Sequence, residues 1–208
     1  MIANIEAFLI AITILTLTPG LDTALVIRNS SRGGAKDGIA ASLGICFGLF
    51  VHATLSAVGI SAILAQSAQL FSMVKMIGAV YLIWLGLSTL KNIYNEKSDA
   101  INWSGTQNQS NIKRSVREGF LSNVLNPKTA VFYLAFLPQF INPEGSAIAQ
   151  TMTMASIHFV IAMIWQSGLA VSLSCAKNMI GNTNFLRRME ATTGVVLVGL
   201  GIKLMSED

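Results

Sequence analysis

Two stretches of this 208-residue chain set a proline near a charged side chain inside an apolar run. They are Leu17-Thr18-Pro19-Gly20-Leu21-Asp22-Thr23 and Asn123-Val124-Leu125-Asn126-Pro127-Lys128-Thr129. Proline removes a backbone donor and clashes with the preceding turn, so each stretch predicts a kink or break in its helix. A break frees backbone N–H and C=O groups and exposes half-helix dipoles to a polar solute. Asp22 suits an ammonium group or a coupling proton, and Lys128 with the freed N–H groups suits a carboxylate. The candidate binding residues are therefore Pro19, Gly20, Asp22 and Thr23 from the first stretch, and Asn123, Asn126, Pro127 and Lys128 from the second. Together the two charges fit a zwitterion. The competing structural account has Asp22 capping the half-helix after Gly20 and Lys128 pairing with it or snorkelling, with neither touching a solute.

Other residues that could do chemistry are sparse. Asp22, His52 and His158 are candidates for proton coupling, the two imidazoles because they titrate near neutrality. Asn29, Gln66, Gln69 and Gln166 read as helix-end or interhelical hydrogen bonders rather than solute ligands. Cys46 and Cys175 lie in apolar stretches without CxxC spacing, so they read as buried small residues, not a metal or disulfide pair. Arg32-Gly33-Gly34-Ala35-Lys36-Asp37-Gly38 lacks the GxxxxGK[ST] spacing of a phosphate loop and reads as a turn.

The composition dictates the elements that must position these groups. The chain is 52% hydrophobic and 12% charged, with a mean hydropathy of +0.59; soluble domains carry about 25% charge. Too few charges remain to coat a soluble globule. Six apolar runs follow one another: Glu6 to Arg28, Gly38 to about Leu64, about Leu70 to Leu90, about Glu118 to Phe140, one within Gly145 to Ala176, and about Leu186 to Met205. Gly44 and Gly48 carry the GxxxG spacing of a close helix contact. The first run lacks a preceding Lys or Arg and continues past the length of a signal-peptide core, so it reads as a retained helix. Residues 91–117 are polar and read as a linker.

Basic residues support this layout. If every run spans, of the 14 Lys and Arg only Lys75 and Lys203 fall on one side and Lys128 within a span; the rest gather in loops 28–38, 91–117 and 177–189 on the other side. The positive-inside rule makes those loops cytoplasmic and puts both termini outside. Basic residues scattered between apolar runs argue against a nucleic-acid partner. Three helices on each side of the linker enter the membrane in opposite directions. The expected fold is an all-α integral membrane protein of six transmembrane helices, as two inverted three-helix repeats: residues 1–90, the linker 91–117, and residues 118–208. Pro19 and Pro127 then sit about 13 and 15 Å from the cytoplasmic ends of their helices, near mid-membrane.

The motifs also resemble a known family. Leu17-Thr18-Pro19-Gly20 with Asp22-Thr23, then Arg28-Asn29-Ser30, Arg32-Gly33-Gly34, Gly38, Ala41, Leu43-Gly44 and His52, look like the N-terminal half of the LysE/RhtB amino-acid exporters. Gly78-Ala79, Tyr81-Leu82 and Trp84-Leu85-Gly86 do so as well. Phe120-Leu121, Asn123, Leu125-Asn126-Pro127-Lys128 and Ala135-Phe136-Leu137-Pro138-Gln139-Phe140 are similar to that family's second-half block. Where the family often has a second proline, this chain has Leu21. The resemblance implies a non-enzymatic, multi-pass carrier of the bacterial inner (plasma) membrane, without cofactors, that exports amino acids or close derivatives on the proton gradient. Its partners are the lipid bilayer and the small-molecule amino acid, and a homo-oligomer is compatible with the layout. One Asp and one Lys favour a neutral zwitterion such as threonine, homoserine or homoserine lactone. The alternatives are a metal-cation exporter, which needs clustered ligands, and a membrane thiol oxidoreductase using Cys46 and Cys175.

Overall fold

The computed structural model describes residues 2, 4–18, 20–66, 68–94, 110–142 and 144–175, and, toward the C-terminus, 191–192, 194–195, 197–199, 201–202 and 205–206. Every regular element among the described residues is helical. Helix α1 (Ile5–Leu17) starts on Asn4, whose side chain accepts from Ala7 N at 3.4 Å. Asn4 itself is left-handed at φ 48, a conformation that asparagine tolerates. The helix stops at Thr18, extended at φ −71, ψ 111, because the residue before a proline is pushed out of the helical region.

Helix α2 (Leu21–Gln66) is 46 residues long with one non-helical residue, Gly34, at φ 77, ψ −173. The chain folds back there. A side chain on Gly38 would collide with Ser30 Oγ, a neighbour about 12 Å away in a straight helix. The apolar stretch Leu21–Gly59 has the length and hydropathy to cross a membrane, but this reversal makes it parts of two antiparallel segments, 21–33 and 35–66. The turn expected at residues 32–38 is thus present, and it needs a glycine: this φ/ψ region is almost closed to other residues and costs them about 1–3 kcal/mol. Space is no obstacle, because nothing lies within 4 Å of where a Cβ would stand. Gly34→Ala is therefore expected to lower stability by about 1–3 kcal/mol without blocking assembly, read as a lower Tm of purified protein with an unchanged elution profile.

Helix α3 (Ala68–Tyr94) packs on the second half of the chain through glycine. Gly78 meets Ala135, and Gly86 meets the backbone of Gly194 and Val198. Helix α4 (Ile112–Val124) begins on Asn111, which accepts from Arg114 N at 3.0 Å. Both α3 and α4 extend into the stretch read as linker. The run expected from Glu118 to Phe140 is not one helix: α4 ends, and after Asn126 come α5 (Pro127–Val131), a π-helical turn (Phe132–Phe136) and a 3₁₀ turn (Leu137–Phe140). Helix α6 (Ala147–Cys175) is long and apolar, with Ala147–Leu173 meeting the requirement for a span.

Of the six expected spans, then, two stretches meet the length and hydropathy requirement among the described residues; Ile5–Leu17 and Met76–Ser88 are apolar but shorter. The first and fourth runs fall short as single helices because they are broken. Much of the sixth, including Glu190 and Lys203, lies outside the described residues, as does the loop 177–189.

Many polar side chains are buried while many large apolar ones face outward. Asn29, Asp37, His52, Asn123, Asn126, His158 and Gln166 are buried, whereas Leu125 is 75% exposed and Ile164 71%. Large apolar side chains face outward on α1, α2, α3 and α6, as a lipid-facing surface requires. The apolar core joins Phe8, Ile12 and Leu15 of α1 to Leu49 and Ala53 of α2, Tyr133, Phe136 and Phe140 of the irregular segment, and Met154 of α6.

Candidate functional site

The two breaks share one backbone solution. Asn126, which precedes Pro127, is extended at φ −77, ψ 109, close to Thr18 at φ −71, ψ 111. Each is a pre-proline residue forced out of the helix by the same local clash. Asn126 also caps α5, accepting from Lys128 N at 3.0 Å through its Oδ1, with Pro127 in the first turn, where its missing N–H costs nothing.

Packing brings the breaks together, and each is held by side chains of the other. The Lys128 ammonium donates to Thr18 O at 3.0 Å and Leu15 O at 3.5 Å. It thereby satisfies carbonyls that the end of α1 leaves orphaned, at the negative pole of that half-helix. Asp22 lies in the first turn of α2, where the dipole favours an anion. Its carboxylate accepts from Asn123 Nδ2 at 2.9 Å, Asn126 Nδ2 at 3.0 Å and Ser122 Oγ at 3.1 Å. Asp22 and Lys128 both face the interior, but they do not form the direct ion pair considered from sequence. Ion pairs among the described residues converge instead on Glu118, with Arg28 at 2.8 Å, Arg32 at 3.2 Å and Arg114 at 3.8 Å.

Between the breaks lies a small cavity, open on one side and lined by both polar and apolar side chains. The first break contributes Leu15, Thr16, Thr18, Gly20, Asp22 and Thr23; the second contributes Asn123, Lys128 and Thr129. Ile45 and Leu49 of α2 and His158, Ala162 and Gln166 of α6 complete it. One carboxylate, one ammonium, threonine side chains and two carboxamides thus face one space beside an aliphatic wall. That set can meet both charges of a small zwitterion and leave an apolar surface for its side chain.

Of the residues singled out from sequence, Gly20, Asp22, Thr23, Asn123 and Lys128 line this cavity. Asn126 stands behind it, holding Asp22, and Pro127 shapes the break. Pro19 lies outside the described residues. The histidines part company. His158 lines the cavity and bonds Tyr133 Oη through Nδ1 at 3.1 Å, whereas buried His52 bonds Asn123 O through Nε2 at 2.9 Å without lining it. Asn29 is an interhelical hydrogen bonder as expected, donating to Glu118 at 3.2 Å and accepting from Ser115 at 2.9 Å. Gln166, read as a helix-end or interhelical hydrogen bonder, lines the cavity. Thr16, Thr129 and the aliphatic wall were also missed, since threonines and leucines in apolar helices carry no distinguishing local pattern.

No metal site of three or more His, Cys, Asp or Glu side chains occurs among the described residues. Cys46 is a buried free thiol that donates to Phe159 O at 3.8 Å; the side chain of Cys175 lies outside the described residues.

Comparison with known proteins agrees with the family resemblance. YrhP, an uncharacterized membrane protein of Bacillus subtilis (strain 168), is 35% identical over 205 residues, covering 96% of this chain and 97% of its own. A homoserine/homoserine lactone efflux protein of Salmonella typhimurium is 27% identical, covering 96% and 95%. A leucine efflux protein of Enterobacter sp. (strain 638) is 25% identical, covering 99% and 96%. No solved structure matches significantly. The family model for LysE type translocators matches residues 13–208, and with the broken helices, the outward apolar surface and this near-complete match, the chain belongs to the membrane-protein family of LysE type translocators.

Proposed function

We propose that this protein is a secondary-active exporter that carries an amino acid or close derivative across the bacterial inner membrane, driven by the proton gradient. The cargo is a neutral zwitterion such as threonine or homoserine, or a close derivative such as homoserine lactone. One observation carries the reading: Lys128 of the second break holds the carbonyls of the first, carboxamides of the second hold Asp22 of the first, and the cavity lies between them. The relatives named for homoserine and leucine efflux support the cargo class.

In this reading the six runs form two inverted three-helix repeats, 1–90 and 118–208, joined by the cytoplasmic linker 91–117. The similar backbone angles at Thr18 and Asn126, at matching places in the two halves, support the repeat. Rocking of one repeat against the other would exchange the Lys128 and Asp22 tethers for contacts to cargo, which couples binding to opening. Glu118, gripped by Arg28 and Arg32, ties α4 to the start of α2 on the side assigned to the cytoplasm. It suits the closed cytoplasmic gate of that cycle.

The test is excretion. Cells fed dipeptides containing threonine, homoserine or leucine are expected to release the free amino acid several-fold faster when they express this protein, and a protonophore should remove the gain. Unchanged release across a full amino-acid panel would overturn the function. A gain that survives the protonophore would overturn proton coupling alone.

A further inference from the structure

We propose that His158 binds the cargo as a neutral hydrogen-bond donor, giving its Nε2–H to an oxygen of the carboxyl group, free or esterified, and that Tyr133 is the positioning residue that fixes the ring in that form. This rests on the export reading above and gives His158 a role other than carrying the coupling proton.

Hydrogen-bond accounting sets the form of the ring. Tyr133 is fully buried, and among the described residues its Oη has one partner, His158 Nδ1 at 3.1 Å. If Nδ1 carried the hydrogen, the phenol would accept it and its own O–H would be left without an acceptor, a buried orphan that costs about 1–3 kcal/mol. The phenol therefore donates and Nδ1 accepts. A protonated imidazole has N–H at both nitrogens and cannot accept, so the same bond requires the neutral ring with its hydrogen on Nε2.

The second break supplies this partner. Tyr133 lies in the π-helical turn Phe132–Phe136 just beyond Pro127, where Ser56 Oγ donates to its backbone carbonyl. Its ring runs nearly parallel to that of His158, at an interplanar angle of 18° with centroids 5.9 Å apart. The imidazole is held from one side.

The free nitrogen is on the other side. His158 lines the cavity and Tyr133 does not, so Nδ1 points behind the wall and Nε2, across the ring, points away from Tyr133. Among the described residues Nε2 has no hydrogen-bond partner, and unlike Trp165 Nε1 and Ser167 Oγ of the same helix it is not a sealed orphan. It is open to the cavity. The Lys128 ammonium, by contrast, is tied to Thr18 O and Leu15 O, so His158 offers a donor that a solute meets without first breaking a tether.

An oxygen satisfies that donor; an ammonium, which has only donors, does not. A neutral N–H serves a carboxylate and an uncharged carbonyl alike, whereas much of the strength of an ammonium contact comes from the charge of its partner. His158 thus suits cargo whose carboxyl group is either free or closed as an ester or lactone.

Competition binding to purified full-length protein in lipid nanodiscs tests the contact, with radiolabelled L-threonine and L-leucine as probes. The competitors are the unlabelled amino acids, their methyl esters, and isopropanolamine and isoamylamine, which lack the carboxyl group. The amide of glutamine reaches to where Nε2 stands, and that of asparagine only to Nδ1. His158→Asn keeps a partner for Tyr133 and loses the cargo donor, so it should weaken the amino acids and esters about tenfold and leave the amines unchanged. His158→Gln should recover most of that loss, and because glutamine does not titrate, the export it supports should still be abolished by a protonophore.

NMR of protein with isotopically labelled histidine nitrogens reads the positioning. The chain has two histidines, and the signal missing in His158→Gln belongs to His158. Wild-type protein should carry the hydrogen on Nε2, and Tyr133→Phe should mix the two tautomers and weaken the esters more than the amines.

Wild-type affinities in His158→Asn would overturn the proposal while the export function stood, as would a loss shared equally by the amines or a hydrogen on Nδ1 in the wild type. Protonophore-resistant export by His158→Gln would make His158 the proton carrier instead. If the His158 variants do not fold, the His158 signals of the wild type, sorted by His52→Gln, decide: an Nε2 signal unmoved by a saturating amino acid overturns the contact. Wild-type protein that binds none of the probes overturns the export reading and this inference with it.

Discussion

Asp22→Asn is expected to lower amino-acid export at least about tenfold while leaving the protein folded and in the membrane. The substitution separates charge from geometry. An asparagine at this position can turn its oxygen toward Asn123 and Asn126, which now donate to Asp22 Oδ2, and its NH₂ toward Ser122 Oγ, which accepts as readily as it donates. The tethers survive; the negative charge does not. Hydrogen bonds to a charged group contribute about 1.5–3 kcal/mol against about 1 for neutral pairs, so removing the charge from a cargo ammonium in a water-poor site costs on the order of tenfold to a hundredfold.

Lys128→Ala is the reciprocal case. It leaves Leu15 O and Thr18 O without their donor and opens space at Gly20, where a Cβ would already stand 3.2 Å from the ammonium. Lys128→Met restores the volume without the charge. Both lysine variants should fail to export. Immunoblots of membrane fractions beside dipeptide-loaded excretion would check the set: normal export in Asp22→Asn and Lys128→Met together would remove these residues from transport and leave them only structural.

The second large effect concerns stability. Gly44→Leu is expected to cost about 3 kcal/mol or more, since forcing even a few methylenes into a packed interface costs about 1–3 kcal/mol. A Cβ on Gly44 would overlap the carbonyl of Val116 and approach Phe120 N at 2.8 Å, both backbone atoms of α4 that cannot rotate away. Gly119 makes the return contact on Ala41 O. The two helices are thus pressed backbone to backbone, and this contact carries Asn123 to the cavity. Fluorescence-detected size exclusion should show the Gly44→Leu protein aggregated or absent, whereas Gly34→Ala elutes normally. A monodisperse Gly44→Leu protein with wild-type Tm would contradict the packing.

Gly34 and Gly44, ten residues apart, therefore do different work, and sequence alone distinguishes them only in part. Gly34 supplies a backbone angle, a local property that the Gly33-Gly34 pair between polar residues announces. Gly44 supplies closeness to another helix. Its GxxxG spacing with Gly48 announces that some helix approaches, and the structure names α4 as the partner.

The same division runs through the site. Both breaks were legible because pre-proline sterics act over neighbouring residues, and Thr18 and Asn126 obey them. The apolar exterior was legible because composition alone forbids a soluble coat. Asp22 and Lys128 stood out because a charge within an apolar run needs a polar partner. Which partner each found was decided by tertiary structure: these hydrogen bonds join residues about a hundred positions apart, and no local rule ranks Thr18 O against the Asp22 carboxylate as the destination of Lys128. Gln166 shows the limit most plainly. A glutamine in an apolar helix looks the same whether it bonds a neighbouring helix or lines a cavity, and only the packing of α6 against α1 and α2 brings it to the cavity wall.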